Sequence, residues 1–418
     1  MKYIVILGDG MADEPVEELG GKTPLEVAHK PVIDYMAAHG EVGMVKTVPD
    51  AIPPGSDTAN LSVMGYDPRI YSTGRSPLEA VSMGVHLEDT DVTFRCNLVT
   101  LTDDELYASK TMLDHSSDEI ATEDAAELIE TISRHLGTEE FRFYAGRSYR
   151  HLLVWRKGRT GNIMTPPHDI LERNINPYLP KGENSDVFLR MMEQSVALLR
   201  DHPVNIRRKK VGLRPANSIW LWGEGKRPAL QRFEEKYGLK GSIIAAVDLI
   251  FGIGICAGLE PVEVDGATGN IHTNFDGKAQ AAIDQLLKFG KDFVYVHLEA
   301  PDECGHRFEV DNKVKSIEII DRKIVAPIKD ALDVSGEDYS IMVLPDHPTP
   351  LRLRTHTSNP VPYVIYRNTC RDGACPVSTG HVSTIDGACP VSTYTEKTAI
   401  STGIYIKEGF RLMDRFVR

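Results

Sequence analysis

The stretch Phe293-Val294-Tyr295-Val296-His297-Leu298-Glu299-Ala300-Pro301-Asp302-Glu303-Cys304-Gly305-His306 decides how this chain is read. An apolar, β-favouring run passes directly into a segment that carries an acid and an imidazole. The same succession occurs twice more: Asp9 follows Tyr3-Ile4-Val5-Ile6-Leu7, and Asp346-His347 follow Ile341-Met342-Val343-Leu344-Pro345. Ligand groups at the carboxyl ends of successive strands in an α/β sheet converge on one crevice. Three distant segments therefore build a single site, and two metal ions would fit it.

Outward from these strands the pattern alternates. Helices are expected over 24–39, 186–200, 228–237 and 276–289, with strands over 219–222 and 243–247, which gives a mostly parallel sheet covered by helices on both faces. From 91 to 175 the rhythm changes. A strand at 92–101, a helix at 122–136 and strands at 141–144 and 151–155 describe a small α+β unit with antiparallel connections. The expected division is a large α/β domain formed by 1–90 and 176–418, with 91–175 inserted as a cap.

Composition bounds the function. Lys plus Arg number 47 against 60 Asp plus Glu, a net charge of −13 over 418 residues, which argues against a general nucleic-acid surface because phosphate binding draws on an excess of cations. The first residues lack the long apolar stretch of a secretory signal, so a cytoplasmic protein is expected. The apolar passage 241–259 is interrupted by Asp248, Gly252, Gly254 and Gly258 and reads as strand, loop and helix, not as a membrane span. Six cysteines show no paired short spacing and are expected reduced and buried, Cys304 included. Nothing in the sequence fixes an oligomeric state.

Gly55-Ser56-Asp57-Thr58-Ala59-Asn60 follows Pro53-Pro54. A helix beginning there would direct its free N–H groups at an anion near Ser56; equally, Ser56 or Asp57 would serve as an ordinary helix cap.

Taken together these segments resemble the archaeal-type cofactor-independent phosphoglycerate mutases of the alkaline phosphatase superfamily. The motifs are Ile6-Leu7-Gly8-Asp9-Gly10, Pro54-Gly55-Ser56-Asp57-Thr58-Ala59-Asn60-Leu61, Pro301 to His306, and Asp346-His347 with His356-Thr357-Ser358-Asn359-Pro360-Val361-Pro362. The resemblance implies an alkaline-phosphatase-like sheet with an inserted substrate-binding domain. It also implies transfer of phosphate between the 2- and 3-positions of glycerate without 2,3-bisphosphoglycerate, Ser56 being phosphorylated transiently. One divalent cation would be held by Asp302, His306 and His356, the other by Asp9, Ser56, Asp346 and His347. Mn²⁺ or Mg²⁺ is expected from the family, whereas the mixed Asp/His donors would also suit Zn²⁺.

The substrate implied is a small phosphorylated carboxylic acid, whose anionic ends call for arginine. Arg147, Arg150 and His151 resemble the family's basic cluster, and Arg75 occupies a family-type position; arginines near a strand edge are also ordinary surface groups. Asp114-His115 would carry protons for the substrate hydroxyls, with a helix-start role as the alternative for Asp114. The chain departs from the pattern at Asn60, where many relatives carry histidine, and at Ser116-Ser117-Asp118-Glu119. The octet Asp372 to Thr379 recurs as Asp386 to Thr393 and is expected to form a surface loop. Three alternatives stand beside the mutase. These are a homoserine-kinase-like phosphotransferase, for which no P-loop lysine spacing is present, a metal phosphatase, and an inactive phospholigand-binding protein, which would be expected to have lost Ser56 or several ligands.

Overall fold

The computed structural model describes residues 1–368 and 391–418. The first octet of the duplication, most of the second, and Cys370, Cys375 and Cys389 lie outside the described residues. In chain order the strands are β1 (Lys2–Gly8), β2 (Glu41–Val45), β3 (Val92–Leu101), β4 (Met112–Asp114), β5 (Phe141–Tyr144), β6 (Arg150–Trp155), β7 (Ser218–Gly225), β8 (Gly241–Ile244), β9 (Glu260–Val262), β10 (Phe293–Leu298), β11 (Tyr339–Leu344), β12 (Val361–Asn368) and β13 (Tyr405–Ile406). Two compact units divide them: Met1–Ser72 with Ala229–Arg418, and Thr73–Pro228.

The first unit is an α/β fold on an eight-stranded sheet of order β13-β2-β12-β11-β1-β10-β8-β9. Its centre is parallel, β1 pairing with β10 and β11, while β12 runs antiparallel to both β11 and β2. Ile4, Ile6, Val294, Val296, Ile341 and Val343 are fully buried in its core. Strands covered on both faces read as continuous apolar runs, as these three do. Gly8 pairs with Leu298 and Leu7 with Leu344, so the three strands end side by side.

The expected helix over 24–39 is two helices, Pro24–Val27 and Pro31–His39. Pro31 supplies no N–H and disfavours helical geometry at Lys30, which adopts φ −136° and ψ 61°. Among the described residues no helix is long and apolar enough to cross a membrane.

The second unit carries an antiparallel sheet of order β4-β3-β6-β5; β4 reaches only Thr100 and Leu101 of β3, and β7 pairs with β3 from Thr93 to Val99. It is wider than 91–175. The strand at 219–222, expected in the large sheet, belongs here as β7, and helix Ser185–Leu199 joins the same core through Phe188, Met191, Met192 and Leu199. The physical reason is β3 itself: ten consecutive buried residues need a neighbour on each edge.

Candidate active site

Each acid lies just beyond a strand of the central trio. Asp9 follows β1 directly, Asp346 comes two residues after β11, and Asp302 sits in the first turn of helix Ala300–Arg307, behind β10. Gly10 makes the convergence geometrically feasible. It has φ +62°, and a Cβ there would come within 2.7 Å of the Asp302 Cα and 2.5 Å of the Thr349 hydroxyl.

Two groups of donors result. In one, the His306 Nε2 lies 3.2 Å from Asp302 Oδ2 and 2.9 Å from the His356 Nε2, which is itself 3.4 Å from Asp302 Oδ1. In the other, His347 Nε2 lies 3.5 Å from Asp9 Oδ1, 3.5 Å from Asp346 Oδ2 and 3.3 Å from the Ser56 hydroxyl. His347 bridges the groups, because one of its ring nitrogens also falls within 4.8 Å of Asp302 and His356 donor atoms. All the expected ligands are therefore brought together.

The electrostatics of the three acids suit a positively charged partner. Asp9, Asp302 and Asp346 are at most 5% exposed. Burial, followed by the charges of Asp346, Asp302 and Glu299, holds the Asp9 carboxyl well above its usual range. Burial also opposes charge on Asp302, but hydrogen bonds from His306 and His356 hold it well below; His306 is correspondingly raised to about 9 by Asp302. Burial pushes His347 down and His297 down to about 3, leaving both imidazoles with lone pairs to offer. Asp9 Oδ1 and both ring nitrogens of His297 are buried without hydrogen-bond partners, although His297 Nε2 is only 3.0 Å from Asp9 Oδ2. Orphaned donor atoms packed together at this distance fit a shared divalent cation, and the mixed nitrogen and oxygen set suits a borderline metal.

Ser56 begins helix Ser56–Val63, with the extended Gly55 before it. Asn60 lies one turn on, between Ser56 and Asp346. Its Nδ2 donates to the Ser56 carbonyl at 2.8 Å and to Asp346 Oδ2 at 2.9 Å, and its Oδ1 accepts from the Tyr295 hydroxyl at 2.6 Å. Strand β10 thus steers Asp346 through Asn60. Thr349, between His347 and Pro350, donates from its hydroxyl to Asp302 Oδ1, and its carbonyl accepts from the fully buried Lys313, which is ion-paired to Asp13 at 2.7 Å.

The expected substrate residues lie in the Thr73–Pro228 unit. Arg75, Arg147 and Arg150 are exposed, Arg150 lying over the Tyr149 ring at 5.6 Å. His151 is 3% exposed, burial lowers it to about 3, and its Nδ1 accepts from the Gly146 N–H at 3.0 Å. It is a neutral anchor for the turn that carries Arg147. Asp114 ends β4 and does not start a helix. Its Oδ1 accepts from the backbone and hydroxyl of Ser116, and its Oδ2 from the Asp118 N–H and Arg214. Those bonds pin Ser117, Asp118 and Glu119, all at positive φ. With both oxygens occupied, the proton-carrying expectation rests on His115.

The match to known proteins is extensive. Residues 37–205 fit the family model of 2,3-bisphosphoglycerate-independent phosphoglycerate mutase. A probable enzyme of that name from Geobacter sulfurreducens is 50% identical over 414 residues, covering 99% of each chain. This chain belongs to that family. The 2,3-bisphosphoglycerate-independent phosphoglycerate mutase of Methanosarcina barkeri is 50% identical over 88% of this chain and 90% of its own. Among solved structures, the cofactor-independent phosphoglycerate mutase of Thermoplasma acidophilum superposes with a TM-score of 0.64 at 26% identity, covering 99% of this chain and 98% of that one. A Pyrococcus horikoshii protein gives 0.79 at 27% identity, covering 99% and 96%.

Two residues packed into the candidate site escaped the sequence reading. His297 donor atoms group with those of Asp9 and Asp346 within 4.8 Å. Its signal was present: it is the one imidazole inside the run Phe293–Leu298. Lys313 gave none, because a lysine in helix Val310–Ile320 reads as solvent-facing until the fold shows it buried.

Proposed function

We propose that this chain interconverts 3-phosphoglycerate and 2-phosphoglycerate without 2,3-bisphosphoglycerate, through a phosphoserine at Ser56. The observation that carries the reading is the Ser56 hydroxyl lying 3.3 Å from His347 Nε2, beside paired donor groups that suit two divalent cations. Asp302, His306 and His356 would hold one cation; Asp9, Asp346, His347 and Ser56 would hold the other, with His297 behind Asp9. Such ions lower the pKa of a bound hydroxyl and offset charge on phosphoryl oxygens. Mn²⁺ or Mg²⁺ is the family expectation and Zn²⁺ the alternative.

The Ser56 hydroxyl gives up its proton and its oxygen forms a bond to phosphorus as the bond to the glycerate oxygen breaks, the departing oxygen taking a proton; the reverse step returns a proton to Ser56. Glycerate then presents its other hydroxyl, which loses a proton and takes the phosphoryl group back. His115 is the proton carrier in this reading, held by the loop that Asp114 anchors, and Arg75, Arg147 and Arg150 receive the substrate's anionic groups. The Thr73–Pro228 unit is accordingly the substrate-binding unit. Water must stay away from the phosphoserine while glycerate turns, since hydrolysis at that stage yields a phosphatase.

The test is direct. Protein with Mn²⁺ and 3-phosphoglycerate, but no nucleotide and no bisphosphoglycerate, is expected to form 2-phosphoglycerate while free phosphate stays low. Phosphate release without the isomer would make the chain a phosphatase. Inertness combined with ATP-dependent phosphorylation of homoserine would make it a kinase.

A further inference from the structure

Strand β3 alternates. Val92, Phe94, Cys96 and Leu98 enter the apolar core of the Thr73–Pro228 unit, so Thr93, Arg95 and Asn97 stand on the opposite face. Two of these three are fully employed. Thr93 Oγ1 shares a hydrogen bond with Ser76 Oγ at 2.7 Å and donates to the Gly225 carbonyl. Asn97 Oδ1 accepts from Trp222 Nε1 at 2.9 Å, and its Nδ2 donates to the His115 carbonyl at 3.1 Å.

Arg95 differs from its neighbours. It is 9% exposed, and its Nε lies 3.0 Å from Glu79 Oε2 yet off the line of a hydrogen bond. Its guanidinium lies over the Trp222 ring at 4.4 Å. Burial lowers its pKa, Glu79 opposes that, and the positive charges of Arg75 and Arg150 add to the lowering. A buried cation beside two like charges, with one imperfectly aligned carboxylate, is an expensive way to decorate a sheet face. The surroundings continue in kind: His168 stands edge-on to Trp222 at 5.4 Å, and His115 lies 6.1 Å from His168 and 5.6 Å from Tyr149, which carries Arg150 over its ring. The acids beside this group are Glu79, the buried Asp114 at 3.9 Å from His115 Nδ1, and the exposed Asp169.

We infer that Arg95, stacked on Trp222 and edged by His168, binds the carboxylate of phosphoglycerate, with Arg75 and Arg150 as its outer cations. The inference rests on the phosphoglycerate reading proposed above and assigns the residues that recognise the acid end. Glu79 stands beside Nε, and a carboxylate on the two terminal nitrogens would complete the planar fork that arginine offers. Trp222 fixes the plane of that fork in advance. Lysine at this position would keep the charge and lose both the fork and the stack.

Binding is measured calorimetrically on the full chain with Mn²⁺, comparing 3-phosphoglycerate with glycerol 3-phosphate, which lacks the carboxylate. This needs no turnover, so a failed isomerase assay defeats the proposed reaction while the carboxylate preference still tests Arg95. The wild type is expected to favour 3-phosphoglycerate. Arg95→Gln is expected to weaken that ligand about 10- to 100-fold, leave glycerol 3-phosphate unchanged, and raise KM more than it lowers kcat. Arg95→Lys should recover part of the loss, and His168→Asn should reduce the preference in the same direction by a smaller factor. A folded Arg95→Gln protein that keeps the wild-type preference, or weakens both ligands alike, overturns the inference, as does a wild type with no preference. If Arg95→Gln does not fold, His168→Asn decides by the same criterion.

Discussion

Asn60→Ala is the sharpest probe of the metal site, because Asn60 touches no expected ligand of the first cation group and, in the second, the donor atom of Asp346 alone, its contact with Ser56 being to the backbone carbonyl. Truncation removes its bond to the charged Asp346 Oδ2, worth about 1.5–3 kcal/mol, and leaves the Tyr295 hydroxyl buried without its acceptor, at about 1–3 kcal/mol. The two losses act on a carboxylate that is fully buried and has few other ways to be held: the Gly10 N–H at 3.2 Å and the His347 N–H at 2.9 Å both reach Oδ1, not Oδ2. Asp346 should therefore swing about its remaining bonds, and changes to groups that orient a ligand cost about 10- to 100-fold in metal affinity. The assay is Mn²⁺ titration of metal-stripped protein, with thermal melting as a companion. The titration is primary because a chain of two compact units need not unfold in one step. Tyr295→Phe should show a smaller loss, and the double variant should lose less than the sum of the singles, since both changes break the same bond. Wild-type Mn²⁺ affinity in Asn60→Ala would refute the claim that Asn60 orients Asp346.

Ser56→Ala should keep the fold and lose all phosphoryl transfer, and intact mass after rapid quench should show a phosphate adduct on the wild type that the variant lacks; near-normal turnover by the variant would remove Ser56 from the mechanism. Chelation should abolish turnover and Mn²⁺ should restore it, so full activity in protein shown by elemental analysis to be metal-free would defeat the two-cation site. Burial lowers His151 to about 3, from an ordinary value of 6.5. The unfolded chain thus binds the extra proton first, and stability should fall as pH drops from about 6.5 towards 3, the effect being absent above the unfolded value. In His151→Gln the decline of melting temperature over that window should be shallower, and an identical slope would mean that His151 does not titrate in this way.

The central strands were legible because burial on both faces writes itself as a near-continuous apolar run, and an acid directly after such a run has few purely structural reasons to be there. Which sheet a strand joins is a different matter. Ile219-Trp220-Leu221-Trp222 is as apolar as β10, and only the need of β3 for a partner on its second edge, a tertiary fact, assigns it to the smaller unit. The helix over 24–39 was divisible from sequence, since Pro31 carried the signal.

The same contrast separates candidate ligands that could be read from those that could not. Asp9, Asp302, Asp346 and His347 are punctuation after strands, whereas His297 is inside one, where an imidazole in a strand is ordinarily just a tolerated polar residue. Asn60 looked like a departure from the pattern, but an amide presents both a donor and an acceptor, so it reaches Asp346 with one end while Tyr295 fixes the other. Tyr295 and His297 are two positions apart on β10 and therefore project to the same face. One face of this strand thus brings a hydroxyl to the amide that orients Asp346 and an imidazole to within 3.0 Å of Asp9. The polar pair interrupting the run Phe293–Leu298 is for that reason a single device acting on both acids of the second cation group, and a sequence carrying Asn at 60 should need Tyr, or another donor, at 295.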